Sequence, residues 1–199
     1  FVSDYARFWI LYHYGGVYFD IDVELIKPLT PILQSGPYMG LETDNVRQTS
    51  IFTGADTGVT CNPGLGMATE KGMEFCKYML DLYQNLQFIF PSGAINTKSV
   101  VSYTSETLLH FGYDKSFKGI QECVGFKIYP RQYFCPLVDR KTSEITLFPE
   151  TYSIHHYAGT WVDKKMIWKG HIVNGMLKVL PISVVKYIRK IYRIIFRKN

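Results

Sequence analysis

The tripeptide Asp20-Ile21-Asp22 carries the strongest chemical signal in this 199-residue chain. It follows Val17-Tyr18-Phe19, β-branched and aromatic residues that read as a short buried strand. Residues two apart on a strand face the same side, so both carboxylates can enter one site. Acids at the end of a buried strand need compensation, because uncompensated buried charge is costly. A divalent cation is the simplest source of it. Mg2+ and Mn2+ take oxygen ligands from few carboxylates and complete their shell with phosphate oxygens. That is a diphosphate-handling site. A solvated turn is the competing reading of the same spacing.

The surrounding elements must aim these residues. Ser3 can cap a helix beginning at Asp4, where an acid suits the helix dipole. Tyr5, Phe8, Trp9 and Tyr12 form a helical stripe, and Gly15-Gly16 ends it. Asp4 and Arg7, three apart, share one helical face, either as an ion pair or turned into the site. Residues 37–42 read as a strand, 43–58 as an exposed polar loop, and Cys61-Asn62-Pro63-Gly64 as a turn. Helices are expected over 73–86 and 99–111, and strands over 124–129, 145–148 and 152–157. On the last strand His155 and His156 alternate, so one of them can face a site. A core histidine bonded to backbone is the alternative. The pattern is mixed α/β with no periodic βαβ repeat after residue 60.

Charge divides the chain. The net +5 hides twelve Lys/Arg against seventeen acids in residues 1–163, and ten Lys/Arg with no acid in 164–199. The domain reading is therefore a catalytic body, 1–163, and a basic tail, 164–199. In residues 181–197, Val184, Val185, Ile188, Ile191, Tyr192 and Ile195 fall on one helical side, opposite Lys186, Lys190, Arg193 and Arg197. Such an amphipathic helix suits an anionic membrane surface, or packing on the domain or a second chain. The acidic body argues against nucleic acid as a partner. No run of eighteen apolar residues is present, which excludes a bilayer-spanning helix in this sequence. Cys61, Cys76, Cys123 and Cys135 are widely spaced without C-x-x-C, so they read as free thiols of a reducing compartment rather than a zinc ribbon or disulfide scaffold. The expected location is cytoplasmic, on the inner face of the membrane.

The string Ser3-Asp4-x-x-Arg7 followed by Gly15-Gly16-x-Tyr18-x-Asp20-x-Asp22 resembles the glycosyltransferases with a DXD sugar-binding motif, family 32 type. That family includes bacterial capsular and lipopolysaccharide sugar transferases and yeast initiating mannosyltransferases. Looser likeness extends through Asn62-Pro63-Gly64-Leu65-Gly66, Ile128-Tyr129-Pro130, Phe134-Cys135-Pro136 and residues 152–161, where Thr160-Trp161 stands for the usual Ser-Trp. The resemblance implies a GT-A type fold and transfer of a sugar from a nucleotide donor, UDP-sugars favoured, with retention. It implies that Asp22 binds Mn2+ or Mg2+ directly, and that Asp20 does so through water or holds ribose and sugar hydroxyls. Asp4 and Arg7 would face the pocket, Tyr18, Asn62 and Trp161 would contact substrate, and His155 would complete the metal shell. The acceptor would be a saccharide or lipid-linked chain in surface polysaccharide assembly. A second copy of the chain is a further candidate partner. Retention could proceed by double displacement through Glu42 or Asp56, or by same-face attack with the leaving phosphate as base. An inactive carbohydrate-binding or assembly module that kept the fold is the alternative function.

Only nineteen residues precede Asp20, whereas the nucleotide-binding half of a GT-A sheet needs two βαβ units of about 30 residues each. The sequence is therefore expected to lack N-terminal strands and helices of that fold, and an open sheet edge or apolar face should stand in their place.

Overall fold

The computed structural model describes residues 2–43, 58–138, 145–157 and Val184. Trp161, Asp56 and the tail other than Val184 lie outside the described residues. In chain order, helix α1 (Val2–Tyr14) leads to strands β1 (Gly16–Tyr18) and β2 (Val23–Leu25), then to the short helix α2 (Thr30–Leu33). Strands β3 (Tyr38–Thr43), β4 (Thr60–Asn62) and β5 (Met67–Thr69) precede helices α3 (Glu74–Gln84) and α4 (Val100–His110). Strands β6 (Gln121–Cys123), β7 (Phe126–Tyr129), β8 (Leu137–Val138), β9 (Ile145–Thr146) and β10 (Ser153–His155) follow.

Six strands form one mixed sheet in the order β1-β5-β3-β7-β6, with β4 also paired to β3. Only β3 and β7 run parallel; the other pairs are antiparallel. Side-chain alternation along β3 builds two cores. Met39 and Leu41 pack with Phe8, Leu11, Phe75, Met79 and Phe126 under the helices. Tyr38 faces the other way, stacked on Phe134 with centroids 5.0 Å apart. Gly40 is on that second face, where a Cβ would press on the Phe134 ring at 2.8 Å. Glu42 shares the same parity.

Several local expectations are corrected. Ser3 lies inside α1 rather than capping it; Val2 and Ser3 are exposed, so water can serve the first-turn amides. The strand before the acidic motif is not buried. β1 ends the sheet, no strand covers its outer edge among the described residues, and Gly16 and Val17 are exposed. The strand expected over 124–129 is the hairpin β6–β7. Its turn places Val124 and Gly125 at φ +44° and +80°, the positive pair that a two-residue hairpin turn requires. Ser99 caps α4 by accepting from Ser102 N. All four cysteines are buried and unbridged. Among the described residues no helix is long and apolar enough to cross a membrane.

A separate two-stranded ladder matters more for chemistry. β10 pairs antiparallel with β2, setting His155 opposite Val23. His156 N also donates to Asp22 O at 3.0 Å. This ladder carries a histidine from late in the chain to the acidic motif.

Candidate functional site

The acidic motif sits on a turn, not along a strand. Asp20 follows β1, and Val23 N closes the turn onto Asp20 O at 3.2 Å. Ile21 points into solvent. The two carboxylates therefore converge through turn geometry, where strand alternation had been expected to aim them. A second tie anchors the turn: Asp20 N donates to Gly64 O at 3.0 Å.

Asp20, Asp22 and His155 form one cluster whose candidate ligand atoms all lie within 4.8 Å of each other. His155 Nε2 stands 3.3 Å from Asp22 Oδ1 and 3.7 Å from Asp20 Oδ2. It is buried with no aligned hydrogen bond. The opposite ring atom, Nδ1, accepts the Tyr157 backbone N–H at 3.1 Å, so a neutral ring carries its proton on Nε2, facing the carboxylates. His156 instead points outward to Glu24, 2.8 Å away.

From the other side α1 supplies Asp4 and Arg7. Arg7 is only 5% exposed. Its guanidinium reaches Asp4 at 3.3 Å and Asp20 at 3.4 Å and lies over the Tyr18 ring, 4.5 Å from the centroid. Arg7 Nε and Nη1 nevertheless make no hydrogen bond. The Tyr18 hydroxyl donates to Asp20 Oδ1 at 2.9 Å. Burial pushes the Tyr18 phenol up to about 12, with Asp20 adding to the rise and Arg7 opposing it. Burial also works against ionised Asp20, but His155, Arg7 and the Tyr18 hydroxyl outweigh it and hold that carboxyl below its ordinary value.

The formal charges point to a ligand. Three carboxylates, Asp4, Asp20 and Asp22, stand against one guanidinium. A divalent cation between Asp20 and Asp22 would offset the negative charge of these carboxylates. Oxygen, oxygen and imidazole donors suit Mn2+ or Mg2+; Nε2 faces both carboxylates and would become a ligand atom in the tautomer protonated at Nδ1, which requires Nδ1 to release the Tyr157 N–H. The residues fit a divalent cation.

Glu42 and Asn62 form the floor beside this cluster. Asn62 Nδ2 donates to Glu42 Oε2 at 3.1 Å, and Asn62 Oδ1 accepts from Gly64 N at 2.7 Å. Both ends of the amide thus serve the protein in this structure. Burial pushes the Glu42 carboxyl up, against the pull of Asn62, His155, the Tyr157 hydroxyl and Arg131. The Tyr157 hydroxyl also meets Cys135 Sγ at 3.1 Å. Tyr157 adopts φ +51°, a left-handed conformation that costs a non-glycine residue about 1–2 kcal/mol. Such strain is held by surrounding contacts and gathers at functional sites. Neither Gly64 nor Tyr157 was singled out in the sequence. Gly64 gave only the signal of an Asn-Pro-Gly turn, and nothing in the sequence marks Tyr157 as left-handed.

Two substitutions test this reading. Arg7→Lys keeps the charge but loses the planar fork that spans Asp4 and Asp20. Loss of that bridge should destabilise the fold by about 1–3 kcal/mol, measured by thermal melting. Glu42→Gln removes an ionised group that burial disfavours. A raised carboxyl value means that the folded state bears a cost at pH above that value, and none below the ordinary range. Glu42→Gln should therefore raise the thermal midpoint at neutral pH and leave it unchanged near about pH 4; melting curves across pH check this.

Comparisons with known proteins agree with the chemistry of this corner. Residues 1–38 match the glycosyltransferase sugar-binding region containing a DXD motif. The match contains α1, the Asp4–Arg7 pair and both acids of the turn. A stretch of 43 residues is 44% identical to inositol phosphoceramide mannosyltransferase 1 of Schizosaccharomyces pombe. It covers 22% of this chain and 14% of that protein. No solved structure matches the chain.

Proposed function

We propose that this chain carries the donor site of a metal-dependent glycosyltransferase with a GT-A type fold. The observation that carries the reading is the convergence of Asp20, Asp22 and His155 beside a buried arginine with unused donors. A nucleotide-diphosphate sugar is the donor class that needs both features. Asp20, Asp22 and His155 would hold Mn2+ or Mg2+, which when bound offsets the charge developing on the leaving diphosphate. Arg7, held beside Asp4 and Asp20, would offer its buried guanidinium to phosphate or sugar oxygens when the donor enters. Tyr18 keeps the Asp20 carboxylate oriented. Trp161 and the chain around it are proposed to close over the donor and exclude water.

Transfer breaks the bond between the anomeric carbon and the diphosphate, and the electron pair leaves with the phosphate. An acceptor hydroxyl forms the new bond and gives up its proton. Glu42 is the described carboxylate available for double displacement. Its partners Asn62 and Tyr157 favour a positioning role, so same-face attack with the leaving phosphate as base is the route proposed here. UDP-hexoses remain the favoured donors, and the mannosyltransferase relative sets a mannosyl donor beside them. The relative's name specifies a lipid acceptor. A saccharide or lipid-linked acceptor is proposed, and the comparisons give a capsular role no support of their own. The basic segment 181–197 is proposed to hold the protein at an anionic membrane surface.

A thermal-shift screen of UDP- and GDP-sugars, with and without Mn2+, tests the donor reading. One nucleotide sugar should stabilise the protein only when the cation is present. If no nucleotide sugar does so at saturating cation, the proposal fails.

A further inference from the structure

His155 can serve a cation or accept from Tyr157, and the two roles exclude each other. Its Nδ1 accepts the Tyr157 backbone N–H at 3.1 Å. A neutral ring then keeps its proton on Nε2, 3.3 Å from Asp22 Oδ1 and 3.7 Å from Asp20 Oδ2. A protonated ring nitrogen has no lone pair to give a metal. For Nε2 to bind, the proton must sit on Nδ1. A metal-bound histidine almost always donates that second N–H to a carboxylate, a backbone carbonyl or water. The backbone that now presents a donor to Nδ1 must therefore present an acceptor.

The surroundings of Tyr157 show how it can. On one side His156 N is tied to Asp22 O at 3.0 Å, and the His156 ring reaches Glu24 at 2.8 Å. On the other side the Tyr157 side chain is held. Its ring lies against His155 with centroids 4.2 Å apart, and its hydroxyl meets Cys135 Sγ at 3.1 Å. Between these anchors lies the peptide plane that joins His156 to Tyr157. A planar peptide can turn between fixed flanks through the soft dihedrals on either side of it. Half a turn points the His156 carbonyl where the Tyr157 N–H points now. It also carries Tyr157 from φ +51° to about −130°, inside the broad β region. The first conformation strains a residue that has a Cβ, and the second does not. Strain of this kind gathers at switch regions.

We infer that Tyr157 is a positioning residue for the cation, through a flip of the His156–Tyr157 peptide that replaces the N–H on His155 Nδ1 by the His156 carbonyl. The ring gives its Nε2 proton to solvent and takes one at Nδ1, so its net charge is unchanged. Strain held at Tyr157 is returned when the cation binds. The inference rests on the cation reading of Asp20, Asp22 and His155, and is independent of the donor sugar.

Tyr157→Ala and Tyr157→Gly isolate the strain. Both lose the ring and the hydroxyl, and they differ only in the Cβ that a positive φ penalises. In calorimetry on the full chain, Tyr157→Gly should bind Mn2+ about tenfold more weakly than Tyr157→Ala, because glycine has no strain to return. A turn with a purely structural role predicts equal Mn2+ affinities and a difference in thermal midpoint alone. The unsubstituted chain gives a second readout that depends on no variant. Its amide hydrogen exchange at residue 157 should quicken with Mn2+, against the slowing that a stabilising ligand brings elsewhere. Equal affinities of the two variants overturn the inference, and so does a 157 amide that keeps its protection in saturating Mn2+. Either result with intact Mn2+ binding leaves the cation site standing. Absence of Mn2+ binding by the unsubstituted chain overturns both.

Discussion

Asp22→Asn should abolish cation-dependent donor turnover while leaving the fold as stable as before. The substitution keeps size and hydrogen-bonding capacity but removes one formal charge from a cluster of neighbouring carboxylates. In the absence of a cation Asp20 and Asp22 repel each other, so removing one of the two charges should leave the thermal midpoint unchanged or raised. With a cation, an anionic ligand within the same 4.8 Å group is lost. Mn2+ affinity should drop at least about 100-fold and donor hydrolysis by about 10^2–10^3-fold. Calorimetry with Mn2+, and nucleotide release from a nucleotide sugar, check the two numbers. Persistent turnover would remove Asp22 from the metal assignment.

Asp20→Asn should behave differently, because Asp20 holds more of the protein together. Its carboxylate accepts from Tyr18 and faces the buried Arg7. Neutralising it leaves Arg7 with Asp4 as its remaining acidic partner and destabilises the fold by about 1–3 kcal/mol. The acid limb of stability gives an independent check. A carboxyl held below its ordinary value contributes stability that is present above the unfolded value and is lost as pH falls through the folded one. Asp20→Asn should flatten that acid limb, and thermal melts at decreasing pH would show it. The two aspartates of one motif thus separate into a charge that serves the ligand and a charge that also serves the fold.

What the sequence made legible follows from how local each feature is. The helix, the Gly15 stop and the pairing of Asp4 with Arg7 all lie within a few turns of chain and are present; of the expected stripe Tyr5, Phe8 and Tyr12 face the core, joined by Leu11, while Trp9 is exposed. The acids of the motif were visible, but their support was misread. Val17-Tyr18-Phe19 has the composition of a buried strand, yet burial depends on neighbours, and β1 has β5 on one side only. His155 was reached through likeness to a family block; its seat depends on β10 pairing with β2, a contact with no local signature. The hairpin at Val124-Gly125 was missed because valine rarely adopts a positive φ. Glu42 was visible as a carboxylate, but its link to the site runs through Asn62, whose β4 strand pairs with β3 across the intervening residues 44–57.

Gly64→Ala is where this hidden geometry gives its largest effect. The backbone of Gly64 passes directly against the acidic turn. Its carbonyl receives Asp20 N, and its amide is held by Asn62. A Cβ at this position would stand 2.6 Å from Asp20 Cγ and closer still to Oδ2, with Asn62 Oδ1 at 3.0 Å on the other side. The Asp20 carboxylate cannot simply swing away, because Arg7 and Tyr18 hold it and the Gly64 carbonyl fixes its backbone. One methyl group must therefore displace either the carboxylate from the cluster or the Asn62 turn from Glu42. Overpacking of this kind costs about 1–3 kcal/mol, a drop in thermal midpoint that most single substitutions of a buried small residue would also give. The distinguishing readout is the cation. Gly64→Ala should lose Mn2+ affinity to the extent that Asp20→Asn does, although it removes no ligand atom. Gly64→Ala combined with Asp20→Asn should weaken Mn2+ binding little further than either alone. Additive losses would mean that Gly64 acts on the fold and not through Asp20.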